Sequence, residues 1–348
     1  MGSDKHFRIT PFITLYSFAH LAVDAACTFL LLSVLELNNY LIVSLLLYNA
    51  LAFVLQAPVG FIIDKALNPK LAAILGLVFV AVSFLFWNNI FAALIIVGIG
   101  NALFHVGGGS LVLSLSNKIA TFSGIYVAPG GIGLALGGFL AVAQTHINLL
   151  LFPLALMILA LIIYFVETPE FNHIREKEII PDCRLLIVVL VMIPIVVRSM
   201  IGLSIEFPWK ENQTLYFLLV FAIAFGKAFG GILADKFGLL KVGIGGLLIS
   251  APLLVFFASV PFLGIFGACI LNFTMPVTLM AIWNVMPRYK GLSFGLTTVA
   301  LFIGALPAII GKDLWIKNDW TVFLLIFSAL VVLWAAFHFT GKNKILIT

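Results

Sequence analysis

Twelve apolar segments, separated by short polar breaks, take up almost all of this chain of 348 residues. A helix needs about 20 predominantly apolar residues to cross a bilayer, and most of the segments reach that length. Hydrophobic residues make up 63% of the sequence and charged residues only 9%, whereas soluble domains average roughly 45–50% and about 25%. The predicted spans are 11–36, 40–63, 71–87, 90–116, 120–144, 148–166, 185–206, 214–234, 240–259, 262–286, 291–311 and 319–340. We therefore exclude a soluble globule, a disordered chain and a disulfide-rich secreted module, and predict an all-α polytopic membrane protein.

The distribution of lysine and arginine predicts the orientation of the spans. Of 19 such residues, 14 fall in breaks on one side, three on the other side and two inside spans. The three are Lys210, Lys312 and Lys317, and the two are Arg198 and Lys227. Cytoplasmic loops carry the excess of basic residues, so we expect both termini in the cytoplasm of a multi-pass inner-membrane protein. The first apolar segment lacks a small-residue cleavage site, so we expect no cleavable signal peptide. Because the charges are spread over short loops, they do not indicate nucleic-acid binding.

The sequence contains an internal duplication with an offset of 171 residues. From Gly60 to Gly133, seven identities of glycine, charged and amide residues align at this offset without a gap, and chance matching of apolar segments would not align the charged and amide residues among them. The pairs are Gly60 and Gly231, Asp64 and Asp235, Lys65 and Lys236, Lys70 and Lys241, Asn101 and Asn272, Gly124 and Gly295, and Gly133 and Gly304. The longest polar stretch separates spans six and seven. We predict two six-helix bundles, residues 1–166 and 185–348, joined by a cytoplasmic linker at 167–184, and such parallel repeats are typical of secondary carriers.

The strongest part of the repeat is a Gly-x-x-x-Asp-Lys motif after the second span of each half. Its first copy resembles the signature of the loop between helices two and three of the major facilitator superfamily, and its second copy resembles the signature between helices eight and nine. This resemblance covers the whole chain and implies twelve helices in two pseudo-symmetric bundles, the major facilitator fold. Glycine permits close helix contact, and aspartate can meet a helix N-terminus or a basic residue. We predict a conformational latch made by Gly60, Asp64, Lys65, Gly231, Asp235 and Lys236.

Three further segments resemble the fosmidomycin-resistance branch of this superfamily. They are Asn101-Ala-Leu-Phe-His105-Val-Gly-Gly-Gly-Ser110 in span four, the glycine-rich stretch Gly130–Gly138 in span five, and His20-Leu-Ala-Val-Asp24 in span one. The resemblance implies a drug-resistance antiporter that exports a small compound in exchange for protons.

Ionisable residues inside the spans are functional candidates, because a charge at membrane depth needs a partner or a water-filled cavity. His20 and Asp24 are four residues apart and therefore share one helix face. Burial favours the neutral acid and a nearby imidazolium favours the carboxylate, so we predict Asp24 as the proton-coupling site, tuned or relayed by His20 or His105. Arg198 cannot lose its charge and needs Asp24 or an anionic substrate as its partner. Lys227 either binds substrate or snorkels to the surface.

The expected substrate is therefore a small anionic or amphiphilic solute. The residues predicted to bind it are Arg198, Asn101, Tyr126, Asn272, Asn284 and Lys227. We expect a monomer in the lipid bilayer that binds this solute and protons, with no cofactor and no resident metal.

Three alternatives differ from proton-coupled efflux. The first is a proton-coupled uptake symporter. The second is a divalent-metal exporter, because His20, Asp24, Cys27 and His105 supply suitable ligand types. The third is an intramembrane enzyme, which we do not expect because the sequence has no His-Glu-x-x-His motif and an enzyme rarely needs two matched six-span halves.

Overall fold

The computed structural model describes residues 3–35, 40–143, 149–169 and 184–341. Within these ranges the chain is helical and contains no β-strand. Most of the predicted linker at 167–184, including Cys183, lies outside the described residues. The described helices are α1 Ser3–Leu35, α2 Leu41–Lys65, α3 Pro69–Ser83, α4 Ile90–Ser116, α5 Ala120–Val142, α6 Leu151–Phe165, α7 Arg184–Ser204, α8 Gln213–Phe237, α9 Leu239–Phe256, α10 Pro261–Val285, α11 Lys290–Ile309 and α12 Asp319–Gly341.

Each helix covers one predicted span. Eleven of the described helices are long and apolar enough to cross a membrane, and α6, with 15 residues, is a shorter apolar helix. The helix α1 begins at Ser3, eight residues before the predicted span, because helical structure continues beyond the apolar segment into polar residues. Large apolar side chains of α6, such as Leu154, Leu161 and Phe165, point outward and are exposed, as lipid contact requires.

Two of the helices contain irregular turns. In α2 a π-helical turn occupies Ala50–Val54, and α10 consists of two segments, Pro261–Leu271 and Thr274–Val285. Backbone irregularity at membrane depth is tolerated only where protein or a water-filled cavity satisfies the freed polar groups. The irregular junction of α10 lies in the most buried of the described spans, Pro261–Val285.

A proline in α5 creates a contact with α1. Pro129 has no N–H and therefore leaves the carbonyl oxygen of Ile125 without its helical donor. The hydroxyl of Ser17 on α1 lies 3.2 Å from that oxygen. The same hydroxyl lies 2.8 Å from the carbonyl oxygen of Ile13 on its own helix, so its single hydrogen is shared between the two carbonyls.

Three consecutive glycines let α4 approach three neighbours. A Cβ on Gly107 would collide with the backbone of α3, and one on Gly108 would lie 2.5 Å from the hydroxyl of Tyr126. A Cβ on Gly109 would collide with the ring of Phe294. The glycine run therefore provides close packing around α4.

Residue contacts divide the chain into two compact units. The first comprises Met1–Asn117, Ile125–Asn172 and Lys290–Gly295, and the second comprises Lys118–Gly124, His173–Tyr289 and Leu296–Thr348. The boundaries fall inside α5 and α11. The first turns of α5 therefore belong to the second unit, and the first turns of α11 belong to the first unit. The two exchanged pieces end at Gly124 and Gly295, which are 171 positions apart. The bundle limits 1–166 and 185–348 stay a prediction.

Helix pairs build the interior of each unit. In the first unit α3 packs along α4 and α6, and α1 packs against α4 and α6. In the second unit α12 packs against α7 and α9, and α10 contacts α7, α8 and α9. The packing of α1 against α4 brings the first group of predicted functional residues together.

Candidate functional site

His20, Asp24 and His105 form one buried cluster within the first unit, which we call the triad. Asp24 lies one turn after His20 on α1, and His105 comes from α4. The Nε2 atom of His20 is 3.3 Å from Oδ2 of Asp24, and Nε2 of His105 is 3.2 Å from Oδ1 of Asp24. The two Nε2 atoms are 2.9 Å apart. Each of these side chains exposes at most 10% of its surface, so the three polar groups face each other rather than solvent.

Two backbone carbonyls determine which nitrogen of each imidazole carries a hydrogen. Nδ1 of His20 is 2.9 Å from the carbonyl oxygen of Tyr126 on α5. Nδ1 of His105 is 2.9 Å from the carbonyl oxygen of Asn101 on α4. A carbonyl oxygen only accepts, so both Nδ1 atoms donate. The two Nε2 atoms are therefore left to face Asp24 and each other.

This geometry fits a cluster that holds one additional positive charge. If neither Nε2 atom carried a hydrogen, two lone pairs would face each other at 2.9 Å beside a carboxylate, and the contact would be repulsive. One proton between the two Nε2 atoms forms a hydrogen bond of ordinary length, and the carboxylate of Asp24 balances its charge. The triad is then neutral as a whole, as burial in a membrane favours.

Asn101 and Tyr126, which were predicted to bind substrate, lie directly beside the triad. The side-chain amide of Asn101 donates to Sγ of Cys27 at 3.5 Å and lies 3.4 Å from the hydroxyl of Tyr48. The hydroxyl of Tyr126 donates to the carbonyl oxygen of His105 at 3.3 Å. Cys27 does not belong to the group whose ligand atoms come together, so its expected part in a metal site is wrong. In this structure Asn101 and Tyr126 orient the imidazoles, and a substrate contact by either stays a prediction.

Glycines of α5 bring this helix against the triad. A Cβ on Gly130 would lie 2.5 Å from both Oδ2 of Asp24 and Nε2 of His20. On Gly133 and Gly137 a Cβ would collide with carbonyl oxygens of α1. These glycines recur at three- and four-residue spacing and therefore share one helix face. The glycine-rich stretch permits the close approach of α5 to α1. This approach puts the carbonyl oxygen of Tyr126 within hydrogen-bond distance of the imidazole of His20.

Arg198 lies buried on α7 in the second unit and has no carboxylate partner in the described part of the chain. Its Nη1 atom donates to the hydroxyl of Thr274 on α10 at 3.4 Å. The expected pairing of Arg198 with Asp24 of the first unit stays a prediction, and the two histidines contact both carboxylate oxygens of Asp24. A guanidinium keeps its charge at any working pH. Its single long bond to a neutral hydroxyl therefore makes Arg198 a candidate for binding an anion.

Three other predicted substrate residues also lie in the second unit. Asn272, at the junction inside α10, donates to the carbonyl oxygen of Ala268 at 2.9 Å. The Oδ1 atom of Asn284 is buried and has no hydrogen-bond partner among the described residues, which is the arrangement expected of a ligand-facing group. Lys227 is half-buried on α8. A substrate-binding role for these three residues stays a prediction.

Asp64 caps the N-terminus of α11 within the first unit. Its Oδ1 accepts the N–H of Gly291 and its Oδ2 accepts the N–H of Leu292, both at 2.8 Å. The first N–H groups of a helix lack intrahelical partners and carry partial positive charge. A Cβ on Gly60, one turn earlier on α2, would collide with the carbonyl oxygen of Gly291. The motif glycine therefore allows the approach, and the motif aspartate binds the helix end.

Asp235 caps the N-terminus of α5 within the second unit in the same way. Its Oδ1 accepts the N–H of Ala120 at 2.7 Å, and its Oδ2 accepts the N–H of Thr121 at 2.8 Å. A Cβ on Gly231 would lie 2.6 Å from the carbonyl oxygen of Ala120. Every residue of this cap lies 171 positions from its counterpart in the first cap. The sequence repeat is thus also a repeat of contacts.

The structure corrects the location of the two motifs. The sequence placed them in loops, but Lys65 ends α2 and Lys236 lies in the last turn of α8. Because the helices continue through the motif, each aspartate projects from a helix and meets the N-terminus of another helix. The ammonium groups of Lys65 and Lys236 lie 5.2 Å from the ring centres of Phe61 and Phe237 of their own helices. In each motif the aspartate makes the cap, and the lysine makes a cation–π contact.

The segment 291–295 matches the Gly-x-Ser-x-Gly pattern of serine hydrolases. Ser293 is fully buried within α11. The flanking Gly291 and Gly295 pack closely against the backbone of α2. A nucleophile elbow is a strand-to-helix turn that exposes its serine. Here the pattern arises from helix packing.

Sequence reasoning also missed the roles of Thr274 and Gly130. Gly130 carried a usable signal, because the glycines of α5 recur on one helix face. Thr274 carried none, since nothing in the spacing indicates which hydroxyl of α10 meets Arg198.

No protein-family model and no curated protein sequence matches the chain. Solved structures do match. A crystal structure of the E. coli fucose:proton symporter FucP matches with a TM-score of 0.67 and 15% identity, over 95% of this chain and 98% of that chain. A second structure of FucP, described as a major facilitator superfamily transporter in the outward conformation, matches with a TM-score of 0.67 and 14% identity, over 95% and 99%. The human organic anion transporter MFSD10 matches with a TM-score of 0.66 and 15% identity, over 94% and 98%.

Identities this low show the fold alone, and the narrower resemblance to the fosmidomycin-resistance branch stays a prediction. The structural matches extend over nearly the full length of both chains, and the helices correspond to the predicted spans. The chain therefore has the all-α, polytopic membrane fold of the major facilitator superfamily transporters.

Proposed function

We propose that the protein is a secondary active transporter that moves a small anionic or amphiphilic solute by alternating access, coupled to protons. Carriers with this repeat plan alternate by rocking one set of helices against another. The fold, shared with transporters, supports transport and fits a protein that is not an enzyme. The proposed direction is efflux by antiport, and it rests on the resemblance of span one, span four and span five to the fosmidomycin-resistance branch.

The observation that carries the proposal is the geometry of the triad. Its two Nε2 atoms and the carboxylate of Asp24 meet in a buried space that is neutral as a whole when one proton is bound. Loss of that proton leaves a negative charge at membrane depth, which is unfavourable without a partner. Protonation and deprotonation would therefore favour different arrangements of α1, α4 and α5.

The proposed anionic character of the solute is supported by Arg198. Its buried guanidinium has a neutral hydroxyl as its hydrogen-bond partner. The human transporter MFSD10, similar in fold, is named as an organic anion transporter. An anion bound at Arg198 would supply the missing negative charge in the second unit.

The two aspartate caps are proposed to act as the conformational latch. Each cap binds the first turn of a long helix, α11 or α5, through two charged hydrogen bonds. Movement of either helix away from its aspartate would break both bonds of that cap together. The caps therefore stabilise one conformational state against the alternative.

The test is solute and proton flux in proteoliposomes with an imposed pH gradient. We expect the wild-type protein to couple movement of an anionic solute to proton movement. Asp24→Asn should lose pH-driven flux and retain solute exchange between equal pools, because only the charge that balances the proton is removed. The control is Glu206→Gln, since Glu206 is an exposed acid paired with Lys317 outside the triad. Proton-coupled flux that persists in Asp24→Asn would refute the assignment of Asp24.

A proton-coupled uptake symporter is the second candidate. It is favoured by the fold match to FucP, which is named as a fucose:proton symporter. Right-side-out and inside-out vesicles separate the two candidates. An antiporter moves solute against the direction of the protons, and a symporter moves it with them.

We further propose that the protein is a monomer in a prokaryotic inner membrane, with both termini in the cytoplasm. The excess of basic residues on one side of the predicted spans supports this orientation.

A further inference from the structure

We propose that the triad binds one divalent transition-metal ion through Nε2 of His20, Nε2 of His105 and a carboxylate oxygen of Asp24. This inference rests on the proposed function in one respect, since it takes the triad as the site where a cation is exchanged. The metal ion would occupy the triad in place of the proton.

The ligand atoms have the separations that a small cation requires. One ligand atom from each residue lies within 4.8 Å of the others, and the contacts among the three side chains are 2.9, 3.2 and 3.3 Å. Two ligand atoms at about 2.0–2.1 Å from a tetrahedral metal lie about 3.3–3.4 Å apart. Binding would therefore spread the two imidazoles by only a few tenths of an ångström.

The imidazoles are already in the tautomer that metal binding needs once the metal displaces the proton held between the two Nε2 atoms. Because Nδ1 of each ring donates to a backbone carbonyl, each Nε2 faces the centre of the triad and offers its lone pair there when that proton leaves. Metal-bound histidines typically donate their other ring nitrogen to a carbonyl or carboxylate, which fixes the ring orientation. Asn101 and Tyr126 supply these two carbonyls. The histidines would thus bind a metal without a change of tautomer.

The ligand types define the class of metal. Imidazole suits zinc, copper, iron and nickel, whereas calcium and magnesium prefer sites made only of oxygen. Two histidines and one carboxylate therefore favour a divalent ion such as Zn²⁺ or Co²⁺. Three protein ligands also leave one coordination position for water or another ligand, as exchangeable sites require.

Gly130 lies directly against the ligand atoms of the triad. A methyl group there would reach to 2.5 Å from two of the ligand atoms, so the glycine keeps that side of the triad free of side-chain atoms. A substitution at Gly130 changes the space around the metal without changing a ligand. It therefore provides a variant that is independent of the three ligand residues.

The experiment is calorimetric titration of purified, detergent-solubilised protein with ZnCl₂, together with the visible absorption spectrum after addition of CoCl₂. We expect one Zn²⁺ per chain and the intense visible bands of tetrahedral cobalt. His20→Ala and His105→Ala should each weaken binding by at least about 100-fold, since loss of an outer partner alone costs about 10–100-fold. His338→Ala is the matched control, because His338 is an exposed histidine on α12.

Thermal unfolding of each variant shows whether a loss of binding reflects a loss of fold. Gly130→Ala keeps all three ligands and raises helix propensity, so weaker zinc binding in this folded variant would support the site. Absence of zinc heat and of cobalt bands in the wild-type protein overturns the inference. Unchanged binding in His20→Ala and His105→Ala also overturns it.

Failure of this inference can be told apart from failure of the proposed function. The flux assay is repeated in the presence of a chelator. If the protein shows no zinc binding and proton-coupled flux persists without metal, the metal site is refuted and the transporter proposal is supported. If zinc binds and no pH-driven flux is measured, the proposal of proton coupling is refuted and the metal site is supported.

Discussion

Two buried charges, Asp24 and Arg198, meet very different surroundings. The carboxylate of Asp24 has an imidazole nitrogen near each oxygen, whereas the guanidinium of Arg198 has one neutral hydroxyl at 3.4 Å. The sequence predicts the contact of His20 with Asp24, because a separation of four residues puts both side chains on one helix face. It could not predict the partner of Arg198, because that contact depends on which of several helices packs against α7. Spacing along one helix thus predicted the contact of His20 with Asp24, whereas the contact of Arg198 depends on helix packing that spacing does not give.

Arg198→Gln should reduce transport and should not reduce stability. A hydrogen bond to a charged group contributes about 1.5–3 kcal/mol, so affinity for an anionic solute should fall by roughly 10–150-fold. The same change removes a buried charge without an ionic partner, so the apparent melting temperature should stay equal or rise. Uptake kinetics and thermal unfolding in detergent measure the two effects. Arg198→Lys is the matched control that keeps the charge, and a large drop in melting temperature of Arg198→Gln would indicate a structural role instead.

Gly130→Ala should disturb the triad, while Gly138→Ala on the same helix should be tolerated. A Cβ at Gly138 would make only ordinary contacts, the nearest at 3.6 Å, and alanine raises helix stability by up to about 1 kcal/mol. At Gly130 the added carbon would lie 2.5 Å from Asp24 and His20 and would push α5 away from α1. We expect at least a several-fold loss of proton-coupled flux in Gly130→Ala alone. Equal flux in both variants would contradict the packing described here.

The capped helices α5 and α11 show what the sequence can predict about an element. Apolar length predicted all the helices, since a bilayer-spanning helix needs a minimum apolar length. Apolar length did not predict that α2 and α8 continue through their Gly-x-x-x-Asp-Lys motifs, because polar residues at the end of an apolar segment are typical of a loop. The offset of 171 residues predicted that the two motifs correspond, and the structure shows that their contacts correspond as well. The sequence repeat thus predicted more about the contacts of the two motifs than local helix propensity did.

Removal of either cap should lower stability by an amount that depends on its exposure. Asp64→Ala should lower the free energy of unfolding by about 1–2 kcal/mol, as expected for loss of a charged N-terminal cap. Asp235→Ala should cost less, because Asp235 is exposed and Asp64 is half-buried. Thermal unfolding of the purified variants measures both effects.

Asparagine variants separate hydrogen bonding from charge in this comparison. Asn caps helices nearly as well as Asp but offers one acceptor oxygen in place of two. Asp64→Asn should therefore fall between the wild-type protein and Asp64→Ala. If Asp64→Ala unfolds at the wild-type temperature, the cap does not contribute to this state.

At the scale of the whole molecule, the even number of helices in the described residues and the excess of basic residues on one side predict a topology. Both termini are expected on the cytoplasmic side, with Lys210, Lys312 and Lys317 on the opposite side. Alkaline phosphatase, which is active only outside the cytoplasm, reports this directly. A fusion after Lys210 should be active, and a fusion at the C-terminus should be inactive. The reverse pattern of activities would contradict the proposed orientation and indicate the opposite one.

The exchange of helix beginnings between the two units has a consequence for how the chain reaches its native state. The carboxylate of Asp64 binds a helix end that is synthesised more than 200 residues later. The carboxylate of Asp235 binds a helix end that has already emerged. A polypeptide severed between residues 169 and 184 would give two fragments, each with an aspartate that lacks its helix end. The fragments would have to be produced together in one cell to complement each other, and neither would complete its own caps during translation.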